Sequence, residues 1–149
     1  MTVQTSYSEN LRPGLPGALV NMEHANLISR NVETAAGIPF GVAVARGTDD
    51  DGVIAVTNGT TAILGITVRD RSVDPSFPNG FAQYNSARIA TKGVIWVTAS
   101  VAVNNGDPVY VTVATGAFVK SSGAGNVQIP NAVYDSSTSG AGLVKVRLA

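Results

Sequence analysis

Turns bearing glycine, proline and asparagine break the chain into short apolar runs, and this spacing limits the fold more than any other feature. Gly47-Thr48-Asp49-Asp50-Asp51-Gly52, Asn58-Gly59, Asn104-Asn105-Gly106-Asp107-Pro108 and Ala114-Thr115-Gly116 are tight-turn signals, while 121–126 and 136–142 are flexible loops rich in glycine and serine. The runs between them alternate apolar and other residues with a period of two, as strands with a buried face do. About nine such strands, with no convincing amphipathic helix, predict an all-β fold: a small antiparallel β-sandwich or barrel, jelly-roll or tulip-like, with an extended N-terminal arm. No internal repeat of fixed period is present.

The stretch Thr61-Ala62-Ile63-Leu64-Gly65-Ile66-Thr67-Val68-Arg69-Asp70 carries the clearest alternation. Leu64, Ile66 and Val68 fall on one side and belong to a core. Gly65 leaves the other side nearly bare, which predicts a central strand with a neighbouring backbone close against it. Ile38 to Arg46 sets Phe40, Val42 and Val44 on one face against Gly41, Ala43 and Ala45 on the other, and Val53 to Thr57 returns from the turn. Ala87–Thr91 and Val94–Val101 form a strand pair broken at Lys92-Gly93. The second of these has apolar residues on both faces, so burial on both sides is expected, with Trp96 in the core and its indole N–H on a carbonyl. Val109, Val111 and Val113 face one way, Pro130 signals an edge or a bulge, and Val144, Val146 and Leu148 point inward from the last strand.

Residues 1–37 differ from the rest of the chain. Pro13, Gly14, Pro16 and Gly17 deny a continuous helix or ladder, so the segment reads as an arm preceding a β domain at 38–149. Tyr7, Leu11, Leu15, Leu19, Val20 and Met22 are apolar residues that a free, solvated tail has little reason to carry. They either fold back over the domain's own sheet edge or lie along a neighbouring subunit, and the sequence leaves both open. Asn26 to Glu33 then offers a short strand into the main body. The second unusual segment is the long loop at 71–86, which carries Phe77, Phe81 and Tyr84; loops of this length in compact domains tend to be functional or disordered, and three rings argue against disorder. Tyr7, Leu11, Leu15, Leu19, Phe77, Phe81 and Tyr84 are therefore the candidate protein-interface residues, since aromatic and apolar anchors dominate such interfaces.

Composition narrows the partners. Only 13% of the 149 residues are charged and the formal net charge is zero, which is poor in charge for a freely diffusing monomer and suggests that a partner covers some surface. No lysine- or arginine-rich stripe exists to neutralise phosphates, so nucleic acid is not an expected partner. Neither a signal-peptide pattern nor an apolar run of membrane-spanning length occurs, so a soluble protein made in a cytoplasm is expected, with no membrane partner. The absence of cysteine excludes disulfides and thiolate metal sites.

No catalytic constellation stands out. His24 is the single histidine and nothing places a nucleophile beside it; no G-x-S-x-G turn, Walker A sequence or G-x-G-x-x-G between strand and helix is present. Asp49-Asp50-Asp51-Gly52 lacks the alternating ligands and later glutamate of a calcium loop, so a solvated hairpin turn explains it. Asp70, Asp74 and Asp107 are the carboxylates an acid–base pair would need, yet Arg69 and Arg71 beside Asp70, and the turn at Asp107-Pro108, account for them locally. No enzyme, metal site or cofactor is expected.

The arm, the segment Ile28-Ser29-Arg30 with Phe40-Gly41-Val42-Ala43-Val44, and above all Ala62-Ile63-Leu64-Gly65-Ile66-Thr67-Val68-Arg69-Asp70, together resemble the structural cement proteins of tailed bacteriophage capsids. Gly93-Val94-Ile95-Trp96-Val97 and Asn105-Gly106-Asp107-Pro108-Val109-Tyr110-Val111 extend the likeness over most of the chain. The resemblance implies a decoration protein on the exterior of an HK97-type head, synthesised in the bacterial host cytoplasm. It further implies contact with the major capsid protein across subunit joints, self-association as a dimer or trimer, and arms that reach neighbours. The alternative is a carbohydrate-binding module displayed on a virion surface, with Phe77, Phe81 and Tyr84 as stacking faces.

Overall fold

A computed structural model of the chain describes residues 2–7, Glu9 and 13–149. Among these residues the regular structure is all strand: β1 Asn26–Val32, β2 Ile38–Pro39, β3 Ala43–Arg46, β4 Gly52–Ala55, β5 Gly65–Thr67, β6 Gly80–Phe81, β7 Ser86–Ala99, β8 Pro108–Thr112, β9 Phe118–Val119, β10 Asn126–Tyr134 and β11 Gly142–Leu148. Nine of them form one sheet in the order β1-β4-β3-β5-β7-β11-β10-β8-β9, and both end strands return to β7. The sheet therefore closes twice. One ring consists of β1, β4, β3, β5 and the first half of β7; the other consists of the second half of β7, β11, β10, β8 and β9. The barrel expected from the turn spacing is present, doubled about a shared strand. β2 and β6 form a separate two-stranded ladder beside the first ring.

The 14-residue β7 differs from the expected strand pair broken at Lys92-Gly93. That glycine signal marks a change of partner rather than a turn: Ser86 to Lys92 pairs with β1, and Gly93 to Ala99 pairs with β11. A register shift opposite Asn26/Leu27 bends the strand between the two rings. Val101, expected inside, is instead partly exposed, because the ladder ends at Ala99 and the chain turns out of the barrel.

Each ring encloses its own apolar core. Val32, Val44, Val53, Ala87 and Ile89 fill the first, together with Ile38, Phe40 and Phe81 from the flanking ladder and turn. Val97, Val109, Val111, Phe118, Tyr134, Val144 and Val146 are among those that fill the second. Ala43, Ile66 and Ala90, which lie opposite one another across β3, β5 and β7, belong to the second core. The outer face of the first barrel thus closes the second, and β5 is buried on both faces. A fully buried isoleucine such as Ile66 contributes about 1.5–3 kcal/mol through removal of its side chain from water. Leu64 departs from the expected alternation and packs on the first core.

The close backbone predicted at Gly65 is the Ala90 carbonyl oxygen, with Ile89 Cγ2 2.7 Å from where a Cβ would project. The expected run from Ile38 to Arg46 is cut by a turn at Phe40-Gly41, so Ile38-Pro39 pairs with β6 while Ala43 onward joins the main sheet. Thr67 holds that kink: its hydroxyl donates to Pro39 O at 2.7 Å and accepts the Val42 N–H at 3.1 Å. Pro130 lies in the irregular part of β10, beside Asn131 at φ 57°, so it marks a bulge. Tyr134 is buried and its hydroxyl donates to Val119 O at 2.9 Å; burial, with a smaller effect of the Asp107 charge, raises its pKa well above the ordinary value.

Candidate functional site

Among the described residues, the arm is anchored at 16–20, while residues 2–7 make no backbone hydrogen bond to the body. Residues 17–20 lie antiparallel to the second half of β7: Gly17 N–H donates to Trp96 O at 2.8 Å, Trp96 N–H to Ala18 O at 2.9 Å and Val20 N–H to Val94 O at 3.0 Å. Leu19 bridges Ile95. This part therefore covers the domain's own sheet edge, which is one of the two arrangements the sequence allowed.

Two features fix the anchor in place. Gly17 and Gly41 meet backbone to backbone, both at positive φ (83° and 71°), and a Cβ on Gly17 would stand 2.8 Å from Gly41 N. Arg69 closes over the crossing, its N–H donating to Gly17 O at 2.7 Å, its Nε to Pro16 O at 3.2 Å, and its guanidinium lying 4.8 Å above the Phe40 ring. A few residues later Glu23 pairs with Arg147, which also reaches Asp135 at 3.2 Å. The Arg147 guanidinium, followed by the Asn21 amide, holds the Glu23 carboxyl below the usual carboxylate range.

Outside the anchor, apolar side chains point to solvent. Tyr7 is 80% exposed and Leu15 59%, with Val3 and Met22 also exposed; Leu19 is partly exposed. Leu11 lies outside the described residues. Trp96 is half-buried rather than a full core residue, covered by Gly14 of the arm and by the Lys145 ammonium 5.5 Å from its ring. Leu15 borders an open cleft of about 450 Å³ whose other wall is Arg71, Val73, Pro75 and Pro78, so arm and long loop meet there.

The loop's rings do not share one surface. Phe81 is 3% exposed and packs edge-on against Phe40 with centroids 5.2 Å apart. This corrects its assignment as an interface residue: its ring is spent on the first core and holds the loop down. Phe77 is half-buried over Gly37 and Gly80, and Tyr84 is 74% exposed at φ 65°. A three-ring stacking platform is therefore not formed. Sequence reasoning missed Arg69, Gly41, Glu23 and Arg147 as fixtures of the arm. Gly17 and Gly41 carried a signal, since each interrupts an apolar run, but nothing in the sequence marks the ion pair.

The aspartates weighed as an acid–base pair are locally satisfied. Asp70 pairs with Arg88 at 3.5 Å, not with its sequence neighbours, and accepts the Ser72 N–H. Asp74 accepts the Ser76 N–H and hydroxyl, which lower its pKa, and Asp107 caps its own turn and pairs with Lys120. The aspartates at 49–51 form the β3–β4 hairpin turn, where the Glu33 carboxylate accepts the Thr48 and Asp49 N–H groups and is held below its ordinary pKa by them. Among the described residues no group of three or more histidines and carboxylates stands close enough to hold a metal ion.

Against known proteins, the family model described as "Structural cement protein (E217 gp24/Pam3 gp6)" matches residues 3–149. The chain belongs to this structural cement family. The chain also resembles a solved structure from the capsid of Myoviridae Phage XM1, at 20% identity and a TM-score of 0.75 over 99% of this chain and 98% of that one, a likeness of fold. No curated protein sequence matches it. Family membership gives the cement protein a structural role associated with the phage capsid.

Proposed function

We propose that this chain binds the outer surface of an HK97-type phage head and clamps neighbouring major capsid subunits, acting as a dimer or trimer. The observation that carries this reading is the division of the arm. Residues 16–20 are fixed to a doubly closed body, while Val3, Tyr7, Leu15 and Met22 hold apolar side chains in solvent. An isolated protein gains nothing from that exposure, whereas a clamp buries the same surface on a second polypeptide. Anchoring in advance lowers the ordering cost of binding, and many copies on one shell add through effective concentration. Tyr84, exposed on the long loop, is the second contact region in this reading.

The test is to add purified protein to expanded shells and follow shell melting. Full-length protein raises the melting temperature of the shell; protein lacking residues 2–12 keeps its own melting temperature, because the anchor begins later, yet loses most of the effect on the shell. Shells that melt unchanged at saturating full-length protein would refute the reading.

A further inference from the structure

We propose that residues Val3 to Tyr7 of one copy add as an extra strand to an open edge of β1 in a second copy; this rests on the self-association proposed above. Backbone hydrogen-bonding groups alternate sides along a strand. Val32 N–H points to the β7 side, at Asn85 O, whereas Asn31 and Glu33 N–H point to the β4 side, at Asp51 O and Val53 O. The same alternation turns the N–H and C=O of Leu27 and Ser29 toward the β4 side. There β4 pairs only with Asn31 and Val32 before the chain leaves through the hairpin turn. Among the described residues no strand pairs with this edge at Leu27 and Ser29, both residues are exposed, and Ser29 O is met by the guanidinium of Arg30 at 3.0 Å. An edge of this kind is a template for another strand.

The same chain carries a matching donor. Among the described residues, no backbone hydrogen bond joins residues 2–7 to the body, and all six are exposed. Val3, Thr5 and Tyr7 alternate with Gln4 and Ser6, and valine, threonine and tyrosine favour strands. From the fixed point at Pro16 the leading segment can extend roughly 40 Å at about 3.3 Å per residue, enough to leave its own body. Each copy offers one donor and one acceptor, so reciprocal exchange satisfies both and closes a two-fold dimer. A strand from a capsid subunit is the competing occupant.

The cysteine-free sequence makes cross-linking a direct test. Full-length T5C and S29C chains are mixed under mild oxidation, with V3C, Y7C and L27C to cover the register and S122C, in an exposed loop, as the control acceptor. Strand exchange gives disulfide-linked pairs between arm and β1 at least about tenfold faster than to the control, as a docked segment has high effective concentration. Light scattering then gives a dimer for the full chain and a monomer after removal of residues 2–7. Cross-linking no faster than the control for every pair, β1 cysteines protected only on shells, or an oligomer unaffected by the deletion would each overturn the proposal. Shell melting separates the two readings. Failed cross-links with stabilised shells remove strand exchange alone, whereas shells left unstabilised remove the clamp whatever the cross-links show.

Discussion

Thr67 and Phe81 show how much single side chains carry in a chain with few helix-like local contacts. Thr67 is the one buried polar residue of the described core, and its hydroxyl serves Pro39 O and the Val42 N–H together. Thr67→Val keeps the shape and leaves both groups unpaired, so urea unfolding should show a loss of about 1–3 kcal/mol with little change in slope. Phe81→Ala should cost about 3–5 kcal/mol by the same measurement, since it empties a ring-sized space beside Phe40. Tyr84→Ala, at an exposed site three residues on, should stay within about 0.5 kcal/mol. If Phe81→Ala left stability intact and weakened shell binding instead, the ring would belong to the interface after all.

At the scale of elements, the arm anchor includes a titratable contact. Glu23 has its pKa lowered in the folded chain by Arg147, so its contribution is present above the ordinary carboxylate pKa and is lost as pH falls through the lowered value. Amide exchange at Val20 and Trp96 should accelerate as pH drops below the usual carboxylate range, after correction for intrinsic rates, and Glu23→Gln should show that acceleration at neutral pH as well. Unchanged protection across that range would mean that Gly17, Gly41 and Arg69 suffice. Most strands were legible because their apolar alternation is local: Val109, Val111 and Val113, or Val144, Val146 and Leu148, are buried as their spacing requires. What was not legible depends on pairing between distant segments. Lys92-Gly93 looks the same whether a strand stops or changes partner, the kink at Gly41 needs Thr67 from another strand, and Phe81 declares itself a core residue only once Phe40 is beside it. The exposed apolar residues of the arm were legible, but its fixing to the body was not, because Arg69 and Arg147 lie far along the chain.

For the whole molecule, the two barrels are not separable units. β7 contributes Ala87 and Ile89 to one core and Ile95, Val97 and Ala99 to the other, and the outer face of the first barrel lines the second. Unfolding should be a single transition: near- and far-ultraviolet circular dichroism should coincide, and calorimetric and van't Hoff enthalpies should agree. Two resolved transitions would mean that each barrel stands alone. In antiparallel ladders the hydrogen bonds run across the strands, so tension along β7 loads the rungs to β1, β5 and β11 sideways and together instead of peeling them one by one. A partner pulling on one barrel therefore strains the other in the same instant, and the shared strand works as a tie-rod through the body.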